Sequence, residues 1–352
     1  MSKQALAVKY RPQRFEDVVE QDVPKAILTE QLKNKTFKNC LLFCGGAGTG
    51  KTTTARLFGK EVNNFKGHII EIDAASHNGV EDARRIIENA KTQSLDSEYK
   101  VFLLDEVHML SIAAWNALLK ILEEPPAKSL FVFCTTDPQK IPATILSRVQ
   151  RFNFQKISQK GIMDRLKFII NSENDEMSKL EEFRDSDLIT YDESSIEFIA
   201  KQADGGMRDA ITLLDKCISY NTNLTLPNVL EALGSVNYDT MFELTEALNK
   251  MEGKVVLEKI EFIHTSGLDL KQFMKQYSYF VLDLCKYEYF HNFEHLQMPS
   301  TYEDKMKSFT EEDFAFFRQL LDVVLRLNKD IQWETTPKPV IESQLLLLCM
   351  ED

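Results

Sequence analysis

The chain is poor in cysteine, has no long apolar run and carries no excess of basic charge. Its six cysteines, Cys40, Cys44, Cys134, Cys217, Cys285 and Cys349, are scattered, and no C-x-x-C pair occurs. Most of them lie in apolar stretches and read as buried thiols of a reducing compartment. No segment approaches the ~20 apolar residues that span a bilayer; LLLLCM near the end reads as a helix face. The opening MSKQALAVKYRP lacks the apolar core of a secretory signal, so the expectation is a soluble cytoplasmic protein. A net charge of −12 argues against a free-standing basic DNA binder. It leaves room for DNA contact through a local patch or within a multi-subunit ring. Internal repeats and low-complexity segments are absent. HNFEH, from His291 to His295, matches an H-x-x-E-H metallopeptidase spacing. Without a third ligand it reads as a helix running out into a loop.

Against these absences stands one strong signal. Gly45, Gly46, Ala47, Gly48, Thr49, Gly50, Lys51, Thr52 and Thr53 contain the G-x-x-x-x-G-K-[ST] phosphate loop. The apolar run CLLFC precedes it and the helical pattern TTTARLFGKEV follows, the strand–loop–helix context that the motif requires. Glycines let the backbone curl so that its N–H groups face phosphate oxygens, and the following helix adds its positive dipole end. Lys51 then reaches the β- and γ-phosphates, and the Thr52 hydroxyl suits Mg²⁺. Fifty residues on, KVFLLDEVH places Asp105 at the C-terminal end of a buried strand, where open α/β sheets bind ligands. Asp105 is expected to hold Mg²⁺, directly or through water, and Glu106 to act as general base on the attacking water. The combination predicts hydrolysis of ATP rather than phosphate binding alone.

At 352 residues and 43% hydrophobic content the chain should hold two or three domains with real cores. Strand-like runs at 40–45, 69–73, 100–105, 129–135 and 149–154 alternate with helical patterns, notably 79–92 and 111–124. The fold class expected is an α/β domain with a parallel five-stranded sheet covered on both faces. Ala114, Leu118, Ile121 and Leu122 mark the buried side of helix 111–124, which Pro125–Pro126 stops. Beyond about residue 157 strand patterns vanish, with helices at 158–170 and 193–220. The acidic run from Asn171 to Asp187 between them reads as a solvated loop. From 236 onward the pattern is all helical. The stretch after Thr310 is apolar on more than one face, which predicts burial in a bundle or an oligomer interface; Thr310 and Asp313 resemble a capping pair. The expected division is 1–157, 158–235 and 236–352.

With these residues in view, the chain resembles the AAA+ ATPases of clamp loaders, within them the gamma/tau family of bacterial DNA polymerase III. KYRPQRFEDVVEQD, EIDAASHNGVEDAR, DEVHMLSIAAWNALLKILEEPP, TTDPQKIPATILSR and GGMRDAITLLDK carry the likeness, which is weaker over 236–352. The resemblance implies an ATPase base domain, a helical lid and an all-helical collar. It implies that Tyr10, Arg11 and Pro12 enclose the adenine, and that Thr136 is a first sensor of the γ-phosphate. Arg208 would be a second sensor on the lid. Arg148, in LSRVQ, would be an arginine finger acting on ATP held by the neighbouring subunit, although Val149 replaces the family's usual cysteine. Lys120, Ser111 and Asn78 become candidates for DNA phosphate contact. The implied partners are a sliding clamp, other loader subunits in a pentameric ring and primer-template DNA, with no membrane. The family's cysteine-rich zinc module is replaced here by EVNNFKGH, so ATP and Mg²⁺ are expected as ligands and zinc is not. The sequence ends at the collar-like region, which reads as a compact version without the long tau extension.

Each assignment has a plainer counterpart. Tyr10–Pro12 suit an arm packed on the domain, Arg208 a helix salt bridge with Asp204 or Asp209, Arg148 an exposed strand-start arginine and Lys120 a solvated helix face. Two further functions use the same phosphate loop. One is a branch-migration helicase, which would favour a winged-helix DNA-binding domain at the C-terminal end. The other is a ring subunit that binds nucleotide without turning it over.

Overall fold

The computed structural model describes residues 4–94, 96–179, 184, 188–293, 296–310 and 314–350. The chain forms two units, one of residues 1–169 with 203–212 and a second of residues 170–202 with 213–352. The first unit opens with α1 (Leu6–Lys9) and α2 (Asp22–Asn34), then alternates β1 (Cys40–Cys44), α3 (Lys51–Val62), β2 (Ile69–Asp73), α4 (Val80–Lys91), β3 (Lys100–Asp105), α5 (Ile112–Glu123), β4 (Ser129–Thr135), α6 (Ala143–Leu146) and β5 (Gln150–Asn153). Helix α7 (Gln159–Met177) begins in it.

The five strands form a parallel sheet in the order β2-β3-β4-β1-β5. The central strands have no polar face, because successive side chains enter two different cores. Leu42, Phe102, Leu104, Phe131 and Phe133 pack under α4 and α5 with Trp115 and Leu118. Leu41, Phe43, Val101, Leu103 and Val132 pack on the other side with Ala55, Leu57 and Phe58 of α3. Each fully buried Leu, Val or Phe contributes about 1.5–3 kcal/mol of burial free energy, so both faces reward the same strand register. Ala114, Leu118, Ile121 and Leu122 are buried, as the helical spacing predicts. The strand order has a functional consequence. It sets β4 between β1 and β3, so the loops leaving these three strands emerge side by side.

The second unit contains β6 (Thr190–Tyr191), α8 (Glu193–Gln202), most of α9 (Met207–Tyr220), β7 (Asn223–Leu224), α10 (Leu226–Leu233), α11 (Tyr238–Asn249), α12 (Gly253–Thr265), α13 (Leu270–Phe290), α14 (Glu303–Thr310), α15 (Phe314–Asp330) and α16 (Pro337–Leu348). Strands do not vanish after 157: β6 and β7 pair in parallel, through Thr190 with Asn223 and Tyr191 with Leu224. This pair is too short to carry a period-2 signal. The helical stretch 193–220 is two helices, broken at 203–206 by Asp204 and Gly205, which take positive φ. Helix α7 runs on to Met177 into the acidic stretch, whose residues 180–183 and 185–187 lie outside the described part. Phe317, Leu320, Val324, Leu327 and Ile331 form the buried stripe along α15 and beyond its end, while Leu325 stays exposed. Thr310 closes α14, and Asp313 is outside the described residues, as are Glu294 and His295 of HNFEH. His291 of that motif is the C-cap of α13. Among the described residues no helix is long and apolar enough to cross a membrane.

Candidate nucleotide-hydrolysis site

The phosphate loop leaves β1 and enters α3 through Gly50, at φ 96°. Gly48 also sits in the left-handed region, at φ 68°. Its freedom is needed twice, since a Cβ there would lie 2.9 Å from Gly206 Cα. The Gly48 carbonyl accepts a hydrogen bond from Met207 N at 3.0 Å, tying the loop to the start of α9. Lys51 is buried, and its Nζ donates to the carbonyls of Gly45 at 2.9 Å and Gly46 at 2.6 Å. Burial lowers its pKa, with the Cys134, Glu106 and Asp105 side pulling it back up. The ammonium is therefore weakly solvated and held at the mouth of the loop, the arrangement that favours an anionic partner.

Asp105 ends β3, and Thr52 Oγ1 donates to its Oδ2 at 2.8 Å. A hydroxyl beside a carboxylate is a pair of hard oxygen donors that fits Mg²⁺ with phosphate oxygens completing the shell. Among the described residues no group of three or more His, Cys, Asp or Glu could hold a metal ion. Glu106 turns out of the strand at φ 48° and ψ 42°. A left-handed conformation costs a non-glycine residue roughly 1–2 kcal/mol. Such strain persists where surrounding contacts over-determine it, and here they do. The Glu106 carboxylate accepts from Thr136 Oγ1 at 3.1 Å and lies 3.3 Å from His108 Nδ1, which in turn meets Thr135 Oγ1 at 3.2 Å. Thr136 follows the last residue of β4, so the strand order brings it to Glu106.

A cleft of about 330 Å³ runs from these groups toward the N-terminal arm. Tyr10, Arg11, Pro12, Val18, Val19, Ile157 and Ile211 line it together with Ala47 to Thr53, Asp105, Glu106 and Arg208. The volume falls in the ~300–1,000 Å³ range of small-molecule sites. Arg11 is partly buried, and its pKa is lowered by burial, then by the charges of Arg56 and Arg208. Several cations thus converge on one cleft of a net acidic chain.

Thr136 and the residues expected to act on a neighbouring subunit or on DNA lie outside that lining. Thr136 meets the site through Glu106 rather than by lining the cleft. Arg148 is not a lining residue: its Nε and Nη2 donate to Glu123 Oε1 at 2.9 and 2.5 Å, and its Nη1 to the Thr144 carbonyl. Asn78 and Ser111 are neighbours, the Asn78 carbonyl accepting from Ser111 N at 3.1 Å. The Ser111 hydroxyl caps its own helix at Ala114 N. Lys120 is exposed on the same helix, nine residues farther along, or roughly 13 Å at 1.5 Å per residue. Sequence reasoning missed His108, although it stands inside the DEVH string. It also missed the Arg56–Glu71 pair at 2.7 Å, where Arg56 lines the cleft, and Arg165. Arg165 lines the cleft and donates to the Tyr10 carbonyl at 3.0 Å. Only tertiary structure joins residues so distant in the chain.

Residues 64–158 match the model of the DNA polymerase III delta subunit family, and residues 162–223 match that of the DNA polymerase III clamp loader subunit ATPase lid domain. DNA polymerase III subunit tau of Bacillus subtilis is 34% identical over 99% of this chain and 64% of its own length. Subunit tau of Escherichia coli is 35% identical over 76% of this chain and 43% of its own length. The chain thus spans 43% to 64% of the length of these two relatives. Subunit gamma of Buchnera aphidicola from Acyrthosiphon pisum is 31% identical over 98% of both chains. Among solved structures, the RuvB Holliday junction branch migration motor of Thermotoga maritima aligns with a TM-score of 0.51 at 18% identity, over 70% of this chain and 80% of that one. That likeness concerns the fold alone.

Proposed function

The chain belongs to the DNA polymerase III gamma/tau family, and on that premise we propose that it is an ATP-driven motor subunit of a sliding-clamp loader. The observation that carries the reading is the meeting of Thr52, Asp105, Glu106 and Thr136 at three adjacent strand ends. These are the parts that water-driven cleavage of a bound triphosphate needs. Backbone N–H groups of the loop and Lys51 hold the phosphates, and Thr52 with Asp105 holds Mg²⁺. When bound, that ion neutralises charge on the phosphate oxygens. Glu106 takes a proton from the attacking water, and Thr136 orients the Glu106 carboxylate and the water it faces. Tyr10, Arg11 and Pro12 enclose the base with Val18, Val19 and Ile157. Arg208, on the first turn of α9, reports the γ-phosphate to that helix.

Arg148 serves a neighbouring subunit's site. Its pairing with Glu123 is exposed to water and so worth about 1 kcal/mol or less, which leaves the guanidinium available to an anionic partner. In the domain scheme we favour, residues 1–157 are the base, 158–235 the lid and 236–352 an oligomeric collar. ATP binding closes a ring of five subunits on the clamp, primer-template DNA triggers hydrolysis, and hydrolysis releases the clamp on DNA. Lys120, Ser111 and Asn78 face that DNA. The proposed setting is cytoplasmic, with ATP and Mg²⁺ as ligands and no zinc.

The test is ATP turnover by the chain with its companion subunits, with and without primed DNA and a sliding clamp. Stimulation that depends on the clamp is expected. Strand displacement instead would favour a helicase, and absence of turnover a scaffold.

A further inference from the structure

The cleft's base end is built from two segments far apart in sequence, and a pair of side chains fastens them together. Val18 and Val19 line the cleft from one segment and Ile157 from the other. The two residues after Val19 are Glu20 and Gln21, at φ 53° and 57°. Consecutive left-handed residues other than glycine are rare and persist only where their surroundings hold them. Here both side chains turn onto residues 155–158. Gln21 is 6% exposed, and its amide makes a reciprocal pair with one backbone unit. Its Nε2 donates to the Gln155 carbonyl at 2.7 Å, and its Oε1 accepts from Gln155 N at 3.0 Å. The Glu20 carboxylate accepts from Ser158 N at 3.0 Å and from the Ser158 hydroxyl. Gly161 makes room for this contact, since a Cβ there would lie 2.6 Å from Glu20 Oε1 and 3.2 Å from Val19 Cγ1. Ile157 lies between the two anchored residues, and its N–H donates to the Gly205 carbonyl at 3.1 Å.

We propose that Gln21 and Glu20 are positioning residues that fix the base end of the nucleotide cleft by clasping residues 155–158 to the Val18–Val19 wall. The proposal rests on the ATP-site reading above. It makes these two residues supports of the walls that would meet the base, as distinct from the phosphates, and neither lines the cleft itself. The phosphate end is held by the loop, by the Lys51 bonds to the Gly45 and Gly46 carbonyls and by the bond from Met207 N to the Gly48 carbonyl, none of which these substitutions remove, so loosening the clasp should weaken it far less. A flat base held between apolar walls needs their spacing fixed.

The experiment compares the affinity of the full chain for Mg·ATP with that for Mg·tripolyphosphate, which carries the phosphates without a base. Gln21→Met keeps side-chain length and removes both hydrogen bonds. It should raise the Kd for ATP about tenfold and move that for tripolyphosphate by less than about twofold, as expected for one or two lost hydrogen bonds. Glu20→Ala should act in the same direction, and Glu20→Gln, which still accepts from Ser158 N, should bind ATP nearly as the unmodified chain does. If Gln21→Met does not fold, judged by its thermal melt, Glu20→Ala and Glu20→Gln decide the matter. Equal weakening of both ligands, or no change in ATP affinity, overturns the clasp alone while the unmodified chain still binds ATP. An unmodified chain that binds neither ligand overturns the ATP-site reading as well.

Discussion

Replacing Gly48 by alanine tests whether the phosphate loop is built against the start of α9. Gly48 has φ 68°, and an added Cβ would sit 2.9 Å from Gly206 Cα, 3.1 Å from Gly206 C and 3.4 Å from Arg208 N. The left-handed backbone alone costs alanine about 1 kcal/mol relative to glycine. The contact is with backbone, so no side chain can swing aside. Either the loop or the turn moves, which stretches the 3.0 Å bond from Met207 N to the Gly48 carbonyl; losing such a bond costs about 1 kcal/mol. The sum is a destabilisation of roughly 3–5 kcal/mol when overpacking is included. Gly46→Ala is the internal control, because the nearest atom to its added Cβ is Thr49 Cγ2 at 3.7 Å. In a folded unit of this size each kcal/mol lowers Tm by about 2–4 °C. Thermal melts of both variants should place Gly48→Ala about 6–20 °C below the unmodified chain, from those same figures, with Gly46→Ala close to it. Fluorescent-nucleotide titration should show weaker binding for Gly48→Ala. Equal melting of the two variants would refute the packing argument.

Glu106→Gln keeps an oxygen that can accept from Thr136 but removes the base. ATP binding should persist while turnover falls by about 10²–10⁴, and near-normal DNA-stimulated hydrolysis would contradict the role. Arg148→Ala should change stability by about 1 kcal/mol or less, because the Glu123 pair is exposed. ATPase of the assembled ring should drop roughly 10³-fold or more if the residue acts as a finger; an unchanged assembled rate would remove it. The chain should lose stability in alkali. Burial raises the Cys40 thiol from 9.0 to about 12, and Cys217 and Cys285 to about 11. The folded state keeps protons that the unfolded chain releases, so this contribution is intact below pH 9 and is lost as pH rises toward 11–12. Denaturation midpoints measured between pH 8 and 10.5 should fall above pH 9, and a flat profile would contradict the burial of these thiols.

The apolar runs CLLFC, VFLL and SLFVFC determined their own strands, because a strand buried on both faces needs no polar partner positions. The phosphate loop was equally self-announcing, since its glycines and Lys51 act through local backbone geometry. The two-residue strands β6 and β7 were not legible, being defined by hydrogen bonds to each other rather than by a pattern of their own. The break in 193–220 had a trace in Asp204–Gly205, but only the packing of Gly206 against Gly48 explains why the chain must turn there.

What the sequence determined by itself was therefore local: which strands form, which loop can cradle phosphate, and which acidic pair follows a strand. Tertiary structure alone decided that β4 lies between β1 and β3, which brings Thr136 to Glu106, and that Gln21 reaches Gln155. Those meetings join residues 30 and 134 positions apart. They depend on strand order and chain crossovers, which arise from packing two cores at once and leave no mark on either partner's neighbours.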